Sequence, residues 1–423
     1  MRDQLLERFF RYCKIDTQSR EGVEDRYPSA EKQLDLSRLL VKELEELGLR
    51  DAGMDGHGVV TATLPGNLPG AASAKAPVIG LLAHVDTSPE VSGADVKPVL
   101  HARYAGGDIQ LPGDPGQVIR AADNPELENH VGDDIVTSDG TTLLGADDKA
   151  GIAEIMTVLD HLLRNPGIRR PTLRIGFTPD EEVGSGTLHF DVKRFGADFA
   201  YTVDGSTVGE IENETFNAMA ATFTVHGVNV HPGYAKGKMT NAVRIASEIV
   251  HALRDEPAPE TTEKREGYLH PYAVEGGVEK TTVRVLIRDF EMEGMDAKSR
   301  TLRDIQAAVQ ARHPKARIDL DIKESYRNMR FKLDEDPRVV EYALEAVRRT
   351  GLTPKLQIIR GGTDGARLCF EGLLTPNLFA GGQNFHSKLE WIPVQGMEKA
   401  VETIVHLVSI WAEKSVEHTE DRP

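Results

Sequence analysis

Cysteine is nearly absent: Cys13 and Cys369 are the only two in 423 residues. That excludes a disulfide framework and any thiolate zinc site needing three or four sulfurs, so a metal bound here is expected on His and carboxylates. Positive charge is in deficit, with 50 Lys plus Arg against 67 Asp plus Glu and a formal net charge of −17. Such a surface repels a phosphate backbone, and nucleic acid is not expected as a partner. No apolar run approaches the ~18 residues of a membrane span, and the opening segment mixes acidic and basic side chains in a way a secretory signal does not. No membrane association and a cytoplasmic location are therefore expected. Also missing are a helical zincin signature, a Ser nucleophile between spaced glycines and a dinucleotide fingerprint, which sets aside serine-hydrolase and oxidoreductase chemistry.

What is present is 39% hydrophobic and 28% charged residues, a globular composition in a chain too long for one domain of about 100–200 residues. Periodicity predicts an amphipathic helix at the start, with Leu6, Phe9, Phe10 and Cys13 on one face, and a longer helix over 29–47 with Leu39, Leu40, Leu44 and Leu47 as its stripe. Strands are expected at 59–64 and 78–83, the second apolar throughout as in a strand buried on both faces. The Gly-, Pro- and Asp-rich stretch 87–139 reads as long loops and short hairpins. A helix over 149–163 and strands over 173–177 and 199–203 then give an α/β sheet with helices on both sides.

Between 210 and 326 the texture changes to strands such as 222–225 and 282–287 with helices near 241–253 and 299–311, an order that suits a small two-layer α+β insertion. Strands at 355–359 and 377–379 and a helix over 397–411 return to the first texture. The expected organisation is one α/β domain, residues 1–209 and 327–423, interrupted by an α+β domain at 210–326.

His and acidic side chains recur just after predicted strands, where ligands gather in open α/β sheets. In Ala83-His84-Val85-Asp86 the two-residue pleat sends His84 and Asp86 to one side, so that one can bind metal while the other orients it; a polar strand end is the plainer reading. Gly145-Ala146-Asp147-Asp148-Lys149 opens a helix whose first turn favours negative charge, and either aspartate also serves as an N-cap. Asp180-Glu181-Glu182 is a solvated face, or a set of carboxylates whose repulsion a dication relieves. Asp204 precedes Gly205 and on its own reads as a turn. Far along the chain, Gly381-Gly382-Gln383-Asn384-Phe385-His386 lacks a Walker lysine and reads as a loop presenting His386. Together these pieces suit two zinc ions bridged by a carboxylate.

His84-Val-Asp86, Gly145-Ala-Asp147-Asp148-Lys-Ala-Gly151, Asp180-Glu181-Glu182 and His386 resemble the motifs of the dinuclear zinc exopeptidases, a superfamily with aminoacylases, dipeptidases and glutamate carboxypeptidases among its members. Longer strings narrow the resemblance to the peptidase T family of tripeptide aminopeptidases: Thr87-Ser-Pro89, Ala105-Gly-Gly-Asp108, Lys193-Arg-Phe-Gly-Ala-Asp198, His231-Pro-Gly233, Ala235-Lys-Gly-Lys238 and Gly361-Gly-Thr-Asp364. It runs over nearly the whole length. The resemblance implies a zinc-exopeptidase-like α/β catalytic domain carrying an inserted α+β lid that pairs two subunits, a small peptide as substrate, and two zinc ions per subunit. Asp147 would bridge the ions, with His84 and Asp204 completing one site and Glu182 and His386 the other. Glu181 would be the general base and Asp86 the partner of His84, and the Asp147–Asp148 peptide is cis in the family.

His231, from the lid of a second subunit, is the expected donor to the oxyanion. Asn241, Arg288 and Arg360 are candidates to grip the substrate's C-terminal carboxylate, with ordinary capping or ion pairing as the alternative. Ser206, Tyr234 and Thr240 depart from the family's usual residues and bear on substrate preference. Two other readings are a sister dipeptidase or N-acyl amino acid hydrolase on the same metals, and a noncatalytic dimeric binding protein stabilised by Ca²⁺ or Mg²⁺. Hard cations prefer all-oxygen shells, so His84 and His386 speak against the second.

Overall fold

The structure is a computed structural model that describes residues 1–23 and 25–420. It contains two compact units, the first made of Met1–Asn213, Phe331–Gln357 and Thr363–Pro423 and the second of Glu214–Arg330 and Ile358–Gly362.

The first unit is built on an eight-stranded mixed sheet in the order Gly53–Met54, Val60–Leu64, Leu173–Thr178, Ile79–His84, Phe199–Gly205, Asn377–Phe379, Glu210–Thr215, Lys355–Ile359. Ile79–His84 is buried along its whole length, as its apolar run requires. Its neighbours Leu173–Thr178 and Phe199–Gly205 run parallel to it, and Asn377–Phe379 runs parallel to Phe199–Gly205. Four adjacent parallel strands therefore end on one edge of the sheet, the edge at which open α/β sheets bind ligands.

Helix Ala146–Arg164 packs on Ile79–His84 and Phe199–Gly205 and is covered by helices Arg2–Cys13 and Val394–Glu420. Being buried nearly all round, it carries few polar residues in its body. Gly151 lets its first turns lie close to the sheet, since a Cβ there would collide with the Val203 carbonyl.

Several elements differ from expectation for identifiable reasons. The first helix buries Leu5, Phe9, Tyr12 and Cys13 rather than Leu6 and Phe10, because the Tyr12 hydroxyl donates to Glu43 and lets its ring go inside. The second helix begins at Gln33, not 29, because Ser29 gives its backbone N–H and its hydroxyl to Asp180. Leu36, Leu40 and Leu44 carry its stripe, with Leu39 and Leu47 half-buried. Within 87–139, the strands Val99–His101 and Ile135–Thr137 join Trp391–Pro393 in a small antiparallel sheet. Helices Arg338–Arg349 and Asp364–Phe370 were not foreseen.

The second unit is a four-stranded antiparallel sheet, Tyr268–Gly276, Lys280–Asp289, Asn217–His226 and Arg317–Tyr326. Helices Ala242–Ala252 and Met292–Arg312 share its core through Ile245, Ile249, Met295 and Leu302. The expected insertion was 210–326; this unit also takes in Ile358–Gly362, because the Phe216 N–H donates to the Ile359 carbonyl and Arg360 donates to the carbonyls of Lys264 and Glu266.

Candidate metal centre

Each of the four parallel strands delivers a side chain to the same place. His84 ends the first, Glu181 and Glu182 follow the second in a short 3-10 turn, Asp204 lies near the end of the third, and the loop after the fourth carries His386. Asp147 comes from the start of helix Ala146–Arg164 and turns its two oxygens to different histidines. Oδ1 lies 2.9 Å from His84 Nε2 and Oδ2 lies 3.2 Å from His386 Nε2. Asp204 Oδ1 is 3.5 Å from the same His84 nitrogen, and Glu182 Oε2 is 2.8 Å from that of His386. His84, Asp147 and Asp204 thus form one group that could hold a metal ion, and Asp147, Glu182 and His386 form a second, sharing Asp147. The peptide bond between Asp147 and Asp148 is cis.

The electrostatics of this cluster call for positive charge. Burial is the largest influence on Glu182 and, with the Asp147 charge, pushes its carboxyl up to about 8. The same two causes raise Asp204 to about 7. Burial pulls the imidazolium forms of both histidines down, yet the facing carboxylates outweigh it: His386 rises to about 11 through Asp147 and Glu182, and His84 rises through Asp147, Asp204 and Asp86. Burial opposes ionisation of Asp147 too, but the two histidines hold it well below the usual range. Glu182 Oε1 is buried with no hydrogen-bond partner, which in a folded protein asks for an unseen partner such as an ion. Two imidazoles and three carboxylates, one of them shared, are a donor set that fits a pair of borderline divalent cations.

The matches to known proteins agree. A peptidase dimerisation domain family model matches residues 213–317. Peptidase T of Geobacillus kaustophilus is 47% identical over 415 residues, which is 98% of this chain and all of that protein. The chain belongs to the peptidase T family, and it is a peptidase. Among solved structures, a tripeptidase from Staphylococcus aureus superposes with a TM-score of 0.75 at 21% identity, covering 98% of this chain and 99% of the other. A dinuclear metal-binding peptidase of the M20 family from Bacillus subtilis does so with a TM-score of 0.63 at 14% identity, covering 97% and 98%. These two share the fold. Membership in a peptidase family removes the noncatalytic alternative. Among the described residues no helix is long and apolar enough to cross a membrane.

Around the shared aspartate of this peptidase T relative, Asp86 does more than its sequence position indicated. The His84 Nδ1 partner is the Asp86 backbone carbonyl at 3.0 Å, with the carboxylate at 3.4 Å. The Asp86 carboxylate instead accepts the backbone N–H groups of Glu181 and Glu182, at 3.0 and 3.2 Å. Glu181 is half-buried, and burial, reinforced by Asp364, Asp204 and Glu182 against the pull of His84, pushes its carboxyl well above the ordinary range. Asp180, held at φ +61, accepts from Ser29 and Gln33 and so ties the loop to the second helix. Asp148 accepts from the His84 and Gly151 N–H groups. Buried Lys149 donates to the Ile15 carbonyl, and burial lowers its pKa to about 8.

Sequence reading missed Ser29, Gln33, Asp364 and Glu390, whose partners lie far away in the chain; only the Gly361-Gly-Thr-Asp364 string gave a signal for one of them.

The remaining expected residues belong to the second unit. His231 is exposed, and its Nδ1 accepts from the Gly233 N–H, a bond that leaves the proton of the neutral ring on Nε2. Its ring packs on Tyr234 at 5.4 Å. Asn241 caps helix Ala242–Ala252 through Oδ1, leaving its NH2 as the donor end. It borders a cavity of about 610 Å³ lined also by Lys236, Arg244, Arg312, His313 and Lys315. Arg288 donates to the carbonyls of Met219 and Ile287 and lies over the Tyr326 ring. The Arg360 guanidinium donates to Thr262, Lys264 and Glu266 and covers the rings of Phe216 and Tyr268. In this structure it braces its own unit.

Proposed function

We propose that this protein is a tripeptide aminopeptidase that uses two zinc ions per subunit, with His84 and Asp204 on one ion, Glu182 and His386 on the other, and Asp147 on both. The single observation that carries the reading is the Asp147 carboxylate, which faces a different histidine with each oxygen. When bound, the ions supply Lewis acidity toward the peptide carbonyl and lower the pKa of water from 15.7 toward about 7.

The chain's own residues do the rest. Glu181 takes the proton of the attacking water and gives it to the leaving amine, one carboxyl acting first as base and then as acid. Asp86 holds Glu181 and Glu182 in register through their backbone N–H groups, so the base and its neighbouring ligand move as one piece. His231, acting from a second copy of the chain in a homodimer, offers Nε2–H to the developing oxyanion. Asn241 and Arg288 meet the substrate's terminal carboxylate, and Arg360 supports that surface as well as being a candidate to touch it. In this reading the first unit is the catalytic domain, the second unit, Glu214–Arg330 with Ile358–Gly362, is the lid, and the enzyme works in the cytoplasm.

The test is Glu181→Gln. Turnover of a tripeptide should fall by about 10²–10⁴, the usual range for a general acid–base group, while zinc content stays at the wild-type level. Substantial residual turnover removes Glu181 from the role. Assaying free peptides of two to five residues and an N-acetylated peptide separates this activity from those of dipeptidases and N-acyl amino acid hydrolases. Mixing Glu181→Gln and His231→Ala subunits should recover activity in hybrid dimers; no recovery after proven subunit exchange rules out the trans role.

A further inference from the structure

The loop that carries His386 is closed at its base by a reciprocal pair, in which the Gln383 N–H donates to the Trp391 carbonyl and the Trp391 N–H donates to the Gln383 carbonyl, at 2.8 and 3.1 Å. Just inside that closure sits Glu390, buried to 1% exposure. Its carboxylate leaves the loop and reaches the segment ahead of helix Ala146–Arg164. Oε2 accepts the N–H groups of Leu144 and Gly145 at 2.8 and 2.7 Å, and Oε1 accepts that of Asp147 at 3.1 Å. Gly145 adopts φ +79, a left-handed turn that only glycine takes without strain, and it gathers these N–H groups into a concave nest.

Three donors on one carboxylate fix it in two directions at once. The same side chain therefore sets where the Asp147 backbone lies and how far it stands from the loop of His386.

We infer that Glu390 is a positioning residue for the metal pair: it holds Asp147 at the place where one carboxylate oxygen serves each histidine-bearing site. The inference rests on the reading of Asp147 as the shared ligand. Glu390 touches none of the proposed ligand atoms and acts only through the backbone of Asp147. An isosteric amide keeps the volume but has one acceptor oxygen, so Glu390→Gln leaves an NH2 facing at least one of the three N–H groups.

The experiment measures zinc affinity by competition with a chromophoric chelator, together with the melting temperature of the metal-free protein and kcat and KM on a tripeptide. For Glu390→Gln the expected result is a loss of about 10- to 100-fold in affinity, the range seen when outer partners of metal ligands are removed. The metal-free melting temperature should stay close to wild type, with kcat falling more than KM changes. Wild-type affinity overturns the inference, and so does an affinity loss accompanied by a matching loss of metal-free stability. Should Glu390→Gln fail to fold, Glu390→Asp takes its place, keeping the charge with a shorter reach. Failure of both to fold assigns Glu390 to the fold and overturns the positioning role. Asp147→Asn, run in parallel, separates the two readings. If it too keeps wild-type affinity, the shared-ligand reading itself fails; if it loses affinity while the Glu390 variants do not, only this inference fails.

Discussion

Replacing Asp86 by Asn probes its hold on Glu181, the proposed base, and on Glu182, a proposed metal ligand. Both Asp86 oxygens are in use, one on the Glu181 N–H at 3.0 Å and one on the Glu182 N–H at 3.2 Å. Asn has the same shape but a single acceptor oxygen, so one of the two N–H groups must face an amide NH2. A hydrogen bond to a charged group contributes about 1.5–3 kcal/mol. With tenfold in rate for each 1.36 kcal/mol, losing one of them in the transition state lowers kcat by roughly 10- to 150-fold. The fold should survive, because Ser29 and Gln33 still hold the loop through Asp180, and the His84 Nδ1 partner, a backbone carbonyl, is retained. The assay is steady-state hydrolysis of a tripeptide with zinc per subunit measured on the same sample. A variant with full zinc and wild-type kcat refutes the claim that Asp86 sets the position of the base.

Three further outcomes follow from the geometry. Gly151→Ala should lower the melting temperature by up to about 2 °C: the new Cβ collides with the Val203 carbonyl, an overpacking cost of about 1–3 kcal/mol, against a helix-propensity gain of about 1 kcal/mol, and the difference is spread over an unfolding entropy of about 2 cal/mol/K per residue. An unchanged melting temperature would show that the helix can move away. Glu154 is fully buried with neither carboxyl oxygen partnered, and burial pushes its pKa well above the ordinary range. Its unfolded form ionises near about 4.3, so above that pH the folded state binds the extra proton and stability falls as pH rises toward the folded value. Glu154→Gln should therefore gain melting temperature relative to wild type as pH is raised from about 5; a difference constant with pH would contradict this. Exhaustive chelation should abolish turnover and zinc should restore it, with activity followed through the titration; full activity in protein shown to be metal-free would end the metal-centre reading.

Much of the site was legible because strand ends leave a local mark. His84 and Asp204 sit at the ends of runs such as 78–83 and 199–203, whose hydrophobic character reports burial directly, and Asp147 stands where a helical period begins. Partnerships between distant segments left no such mark. Nothing in the neighbourhood of Glu390 reveals that three N–H groups of residues 144–147 converge on it. Arg360 reads in the sequence as a candidate carboxylate contact or an ion-pair partner, because the carbonyls of Lys264 and Glu266 meet it only in three dimensions. The late start of the second helix has the same origin: the pattern of 29–47 is helical, and only contact with Asp180 draws Ser29 away from it. The sequence does not mark Tyr12 as buried because its hydroxyl hides how apolar its ring is once Glu43 accepts its hydrogen bond.

The order in which the four parallel strands appear along the chain bears on how the protein is made. A ribosome releases His84, Asp147, Glu182 and Asp204 early, then the entire second unit, and only afterwards the loop with His386 and Glu390. Until that last segment folds back, the nascent chain has at most one of the two histidine-bearing sites and lacks the clamp on Asp147. A chain cut short before this loop holds neither His386 nor Glu390, so in the proposed reading its metal pair is incomplete and the last segment to be made is the one that completes it.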